Sequence, residues 1–336
     1  MAIPSNPSLS AKYMQLDSGT GIQVEYLWID SDNDIRSRAR TLMATEISVD
    51  TIPEWHCKGS GGDDLLLHPV ALFDDPFRPP YGKLVLCDTY LPDGTPHPTN
   101  HRYHCQRTMS AYATHRPLFG IEQEYMVIDP ELEKPLGWHR FPDPQHYCGV
   151  GTIIGRDIIE AHYRACLYAG IQLAGANVEV APGQFEFQVG PCDGLAVSDQ
   201  LWVARFILDR VAEDFALAIT LHPKPMHEWN GAGAHTNYST SAMRSSDNGL
   251  AAIEDAIERM SLRHAEHIAV YGEDNDLRLT GRYETGYIGA FSYGVGNRGA
   301  SIRIPHHVAK QGRGYMEDRR PVGRNQGVSE ATLGVF

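Results

Sequence analysis

The 336-residue chain has no run of eighteen or more apolar residues, so a membrane-spanning helix is not expected, nor a membrane as a partner. It has no C-x-x-C pair. Six cysteines (57, 87, 105, 148, 166 and 192) are scattered along it, a usage that fits reduced thiols and a cytoplasmic protein. Basic residues are few: 29 Lys plus Arg stand against 42 Asp plus Glu, a formal charge of −13. A general nucleic-acid binder needs a basic face to displace counterions, so no nucleic-acid partner is expected. Residues 1–13 lack the apolar core of a signal peptide. The chain contains no G-x-x-x-x-G-K and no G-x-S-x-G, and Gly149-Val150-Gly151-Thr152-Ile153-Ile154 lacks the third glycine of a dinucleotide fingerprint.

What is present is a globular balance, 42% apolar and 21% charged, able to bury a sizeable core. Residues 1–110 read as short strands broken by turns, with Ile22 to Ile29 and Leu84 to Cys87 the clearest strands. Beyond about residue 110 strands alternate with helices. Asp157 to Leu167 is one helix. A second is expected to be capped by Ser198, with Leu201, Ala204, Leu208, Val211 and Phe215 at helical spacing. A third is expected over Leu250 to Val270.

The chemistry begins with Gly120-Ile121-Glu122-Gln123-Glu124-Tyr125-Met126-Val127-Ile128, which has the composition of a strand. Residues two apart share a strand face, so Glu122 and Glu124 point one way and Ile121, Gln123 and Tyr125 the other. Downstream, Pro182-Gly183 suits a tight turn, and folding there makes Glu179 and Glu186 cross-strand partners, with Phe185, Phe187 and Val189 on the opposite face. A type II Pro-Gly turn fits a hairpin poorly, which leaves that register open. Either pair alone is also consistent with a solvated strand face. Two pairs inside apolar strands call for hard divalent cations, Mg²⁺ or Mn²⁺, in a site of the kind that commonly binds phosphates. His235 follows a glycine-rich segment that can approach a ligand closely, although a lone histidine is more often structural. Arg278, Arg298, Arg303, Arg319 and Arg320 lie in apolar, glycine-rich or acidic surroundings and offer bidentate partners for phosphate or carboxylate; Arg320 reads equally as a surface ion pair.

Six segments together resemble the glutamine synthetases of eukaryotic type, fungal members most of all. They are Phe119-Gly120-Ile121-Glu122-Gln123-Glu124-Tyr125, RDIIEAHYRACLYAG (156–170), EFQVGPC (186–192), WNGAGAHTN (229–237), NRGASIRIP (297–305) and EDRRP (317–321). The resemblance runs from about Tyr26 to Pro321. It implies an α+β fold with an N-terminal β-grasp domain (1–110) and a C-terminal catalytic domain (111–336), assembled as a homo-oligomeric ring whose active sites are shared between neighbours. It implies one metal on Glu124, Glu179 and Glu186 and another on Glu122, His235 and Glu317, the last assigned by resemblance alone. ATP would contact Glu186, Phe187, Gln188, Val189, Gly190, Pro191, Asn237, Tyr238, Ser239, Arg303 and Tyr315. Glutamate would contact Trp229, Gly231, Arg278, Arg298 and Arg319. The implied activity is an ATP-dependent carbon–nitrogen ligation of nitrogen metabolism: glutamate is activated as an acyl phosphate, and ammonia or another amine displaces phosphate. Arg298 and Arg319 would neutralise developing charge, and Glu284 matches the family's flap glutamate, which closes the site and helps to deprotonate the amine.

The chain departs from the family on the amine side. Where the family has W-N-F-D-G-S-S-T, with an Asp that helps bind ammonium, this chain has Trp55-His56-Cys57-Lys58-Gly59-Ser60-Gly61-Gly62. Lys58 falls at the Asp position, several following residues are missing, and only Asp63 or Asp64 remains as a substitute. The flap's usual H-E-T-x-x-I-x-x-F reads Tyr283-Glu284-Thr285-Gly286-Tyr287-Ile288-Gly289-Ala290-Phe291. The segment before Trp229 is one residue short, and the stretch after Pro321 lacks most of the family's last helix, which is expected to weaken ring-on-ring stacking. Three readings follow: a ligase with altered amine or acid specificity, an ordinary glutamine synthetase with a diverged loop, or a non-catalytic homologue acting as a nucleotide-binding, ring or regulatory subunit. The retained carboxylates weigh against the last, because unneutralised charges are costly to keep together.

Overall fold

The computed structural model describes residues 12–322, apart from 18, 45, 60, 61, 63, 141–146 and 152. Ser60, Gly61, Asp63 and the stretch after residue 322 therefore lie outside the described residues. Alternating strands β1 (Gly21–Ile29) and β2 (Ile35–Met43) pair antiparallel, and β3 (Trp55–Lys58), β4 (Asp64–Asp74) and β5 (Lys83–Tyr90) complete a sheet of order β2-β1-β5-β4-β3. β1 and β5 run parallel. Period-two alternation divides these strands. Val24, Tyr26, Trp28, Leu65, Leu67, Val85 and Cys87 build a small core on one face. Leu27, Leu84 and Leu86 face the other way and join the main core.

Helix α1 (His101–Ala111) follows, with Asn100 capping Tyr103. Its Arg102 makes a bidentate pair with Asp199, 2.8 and 2.9 Å, and sits 3.7 Å from Asp88. This charge network fastens α1 to the second half of the chain.

The second sheet is built on β6 (Leu118–Asp129). The elements after it are β7 (Lys134–Pro135), α2 (Arg156–Tyr168), β8 (Leu173–Val178), β9 (Gln184–Cys192), α3 (Gly194–Asp214), β10 (Ala218–Thr220), β11 (Ala234–Ser239), α4 (Gly249–Leu262), α5 (His264–Val270), α6 (Asn275–Arg278), β12 (Tyr293–Val295), β13 (Ile302–Ile304), α7 (His306–Gln311) and β14 (Met316–Asp318). Sheet order is β12-β13-β14-β11-β6-β9-β8, with β7 and β10 pairing to β6 off that path. Ile121, Tyr125, Phe185, Phe187 and Val189 cover one face and pack with Val197, Leu201, Ala204 and Leu208 of α3. The other face carries the carboxylates.

Two helix expectations are corrected. Asp193, not Ser198, caps α3, accepting from the N–H groups of Leu195 and Ala196. Ser198 Oγ instead donates to the Gly194 carbonyl, 2.9 Å. The apolar stripe begins a turn inside the helix, so it concealed the true start. The single helix over 250–270 is two, separated at Arg263, whose φ of −116° leaves the helical range without a proline or glycine to mark it. Among the described residues, no helix is long and apolar enough to cross a membrane.

Candidate active site

Four neighbouring strands supply one carboxylate-bearing face. Glu124 lies opposite Glu186 across β6 and β9. Glu122 lies opposite His235 across β6 and β11. Glu317, in β14, lies opposite Asn237 and Arg303. The expected pairing of Glu179 with Glu186 is corrected: Glu186 faces Asn177, and the Glu179 N–H donates to the Gln184 carbonyl at 2.9 Å. The Pro182-Gly183 turn is closed by Gln184 N–H to the Ala181 carbonyl (3.1 Å), with Gly183 at φ 68°, and Gln184 Oε1 accepts from the Ala181 N–H. The hairpin therefore needs a longer loop than the turn alone. The register moves by two residues, and an even shift keeps Glu179 on the face of Glu186.

The six residues form two groups, Glu124 with Glu179 and Glu186, and Glu122 with His235 and Glu317; within each, one ligand atom per residue lies within 4.8 Å of the others. Burial, then neighbouring carboxylates, push Glu186 up to about 9 and Glu179 up to about 8. Burial likewise raises Glu124 to about 7, against the opposing Gly233 N–H and the nearby Arg278. Three carboxylates that cannot all ionise together fit a divalent cation, which supplies the missing charge. In the second group His235 Nδ1 lies 3.6 Å from Glu122 and 3.5 Å from Glu317. Burial, then Arg319, hold its pKa well below the usual histidine range, which keeps the imidazole in the form a metal ligand requires. Glu317 is fully buried and paired with Arg303 and with Arg319 Nη1, the latter at 2.6 Å. Asn237 donates to Glu122, Asn177 to Glu179 and Gln188 to Glu186, so each of these carboxylates is also oriented by an amide.

Five of the six, all but the buried Glu317, line a cavity of about 190 Å³ together with Arg278, Arg298, Arg303, Arg319, Gly231 and Glu284. Arg278 is buried behind it, donating to the carbonyls of Arg319, Arg320 and Pro321, and burial lowers its pKa to about 10. A side chain at position 231 would meet the Pro223 carbonyl at 2.3 Å and Arg278 Cγ at 2.8 Å, so only glycine admits this approach. Arg319 Nη2 donates to the Glu284 carbonyl at 3.2 Å and its Nε to the Arg298 carbonyl at 3.0 Å, tying the flap to the Glu317 group.

A second cavity, of about 400 Å³, shares Glu122 and Gln188 with the first and is lined by Val189, Gly190, Pro191, Asn237, Tyr238, Ser239 and Tyr315. An apolar slot beside a cationic and carboxylate-rich one can seat a base next to its phosphates. Two predicted contact residues lie elsewhere. Strand alternation turns Phe187 away from Glu186 and Gln188 into the core, against Tyr125 and His162. Trp229 is 3% exposed and packs with Met126 and Ala181 beneath the site. Arg320 is no surface pair: it is 1% exposed, bound to Asp318 and to His264 and His267. Tyr147 is a lining residue that sequence reasoning missed; it is close enough to Arg298 to help hold that guanidinium's pKa up, and no motif or periodicity around it signals the contact.

A family profile described as the glutamine synthetase catalytic domain matches residues 99–270. The glutamine synthetase of Agaricus bisporus is 53% identical over 335 residues, covering 96% of this chain and 94% of that protein. That of Tuber borchii is 53% identical, covering 95% and 92%, and that of Yarrowia lipolytica 52% identical, covering 93% and 89%. With the profile spanning half the chain and relatives matching nearly all of it, the chain belongs to the glutamine synthetase family.

Proposed function

We propose that the protein is an ATP-dependent glutamate–amine ligase of the glutamine synthetase type. The single observation that carries this is the convergence of two three-ligand groups and four arginines on one cavity beside an apolar slot. Glu124, Glu179 and Glu186 would hold one Mg²⁺ or Mn²⁺, and Glu122, His235 and Glu317 another. Such ions would supply the positive charge that phosphoryl transfer from ATP to glutamate requires. Arg298, Arg303 and Arg319 add fixed positive charge, Arg278 orders the glutamate side of the cavity, and Glu284 takes the proton from the attacking amine. Phosphate leaves as the amide forms. Phosphate release from ATP, measured with and without glutamate and then with ammonium or a panel of amines, tests this; no glutamate-dependent release under any condition would favour a non-catalytic homologue.

The metal sites carry a pH signature. An unfolded glutamate titrates at about 4.3. The folded, metal-free protein holds protons on Glu124, Glu179 and Glu186 up to about 7 to 9. Across that window the native state binds more protons than the unfolded chain, so its stability falls as pH rises. Metal binds the ionised form and opposes the loss. Melting in a chelator should give a lower Tm at pH 9 than at pH 6, and Mn²⁺ should raise Tm more at pH 9. Equal metal-induced shifts at both pH values would overturn the ligand assignment.

The organisation that goes with this function is a β-grasp unit over 1–110 and a catalytic unit over 111–336, in the cytoplasm, assembled as a homo-oligomeric ring. The five-stranded mixed sheet with its parallel β1–β5 pair supports the first part. Light scattering should report an oligomer at micromolar concentration; a monomer there would refute the ring.

A further inference from the structure

The turn that carries Glu284 is backbone that needs holding. Tyr283 and Glu284 are consecutive non-glycine residues in the left-handed region, φ 55° and 58°, a conformation that L side chains disfavour. On one side Arg319 donates to the Glu284 carbonyl at 3.2 Å, and Thr285 Oγ1 donates to the carbonyls of Arg278 and Arg282 at 3.0 and 2.8 Å. On the other side, Lys224 Nζ lies 4.1 Å from the centroid of the Tyr283 ring. Lys224 comes from the segment joining β10 to β11, and its ammonium is also fixed by donation to the Trp229 carbonyl. A tyrosine stands here where the resembling family has histidine, and its ring supplies the face that the ammonium needs.

We propose that Lys224 and Tyr283 form an intrachain cation–π latch that holds the Glu284 turn over the carboxylate cavity and thereby sets the affinity for the amine acceptor. This rests on the ligase reading above. Tyr283, Glu284 and Thr285 all line the cavity, but they lie on a turn, whereas Glu122, Glu124, Glu186, His235 and Glu317 lie on strands. Releasing the turn removes the proton acceptor from the cavity and leaves the phosphoryl-transfer groups in place. Lys224 and Tyr283 are thus positioning residues.

Two measurements on the full chain test it. Arg282 is exposed and directly precedes Tyr283, so tryptic cleavage after Arg282 reports opening of the turn independently of activity. Lys224→Met removes no tryptic site of consequence, because Pro225 follows. Lys224→Met and Tyr283→Leu should each speed cleavage after Arg282 roughly two- to thirty-fold, the span of a cation–π contact. Tyr283→Phe and Lys224→Arg should retain protection, and the Lys224→Met/Tyr283→Leu double variant should cleave no faster than either single one. The same two single variants should raise the KM for the amine by a similar factor at unchanged KM for ATP. Unchanged cleavage in both variants overturns the latch. Faster cleavage with an unchanged amine KM overturns its role in amine affinity. A wild-type protein without glutamate-dependent phosphate release overturns the ligase reading, and with it the role in amine affinity, while the cleavage rates still judge the latch.

Discussion

Glu124→Gln and Glu186→Gln should each abolish metal-dependent ATP turnover while leaving the fold intact. Each replaces one of three carboxylates that share a site, at positions facing each other across β6 and β9. The amide keeps the shape and gives up the charge. A bound divalent ion contributes several kcal/mol of charge stabilisation in phosphoryl transfer, and each ~1.4 kcal/mol is tenfold, so the loss should be roughly a thousandfold or more. The same changes remove repulsion among carboxylates that burial and their neighbours already push upward. Far-UV circular dichroism should therefore be unchanged, and Tm in a chelator should be equal or higher. The exposed α2 residue Glu160, changed to Gln, is the control. Wild-type turnover in both site variants would mean that the metals, if any, sit elsewhere.

How far the sequence foretold this site depends on how local each signal is. The face shared by Glu122 and Glu124 follows from period-two alternation within β6, which needs no knowledge of neighbours. The Glu179–Glu186 face was also legible, but its register was not, because Gln184 turns its side chain back onto the Ala181 N–H and lengthens the loop. Glu317 sits in a three-residue strand, too short for any periodicity, and its buried carboxylate is paired with Arg303 of β13 and with Arg319 just past the end of its own strand. Only resemblance could assign it. Arg320 misleads for the same reason: next to Asp318 in sequence it reads as a surface pair, while Tyr271, His264, His267 and Phe291 close over it in space. Phe187 shows the converse error, a residue taken with its motif although alternation already directs it into the core.

Ammonium should be a poor acceptor for this enzyme. The acyl-phosphate half of the cavity is assembled from Glu122, Glu124, Glu179, Glu186, His235, Arg298 and Arg319, with Glu317 beside them. Among the described residues, none N-terminal to Glu122 lines that cavity, so a single chain brings nothing from its first sheet to the amine. In a ring, the loop after β3 of a neighbouring copy would reach it. That loop presents Lys58, exposed at the end of β3 and paired with Asp64 in the β3–β4 hairpin, where the family pattern has an aspartate. A cation in that place repels ammonium instead of binding it. Losing the carboxylate partner of a bound cation costs on the order of 2–4 kcal/mol, or about 30- to 1,000-fold in ammonium use. With no carboxylate supplied at that position, a larger amine, or no amine at all, is the expected acceptor. Lys58→Asp should raise ammonium use if the loop reaches the neighbour's cavity. The apparent ammonium KM decides the matter: a wild-type value below about 1 mM, within the ordinary range for enzymes, would return the chain to unmodified glutamine synthesis.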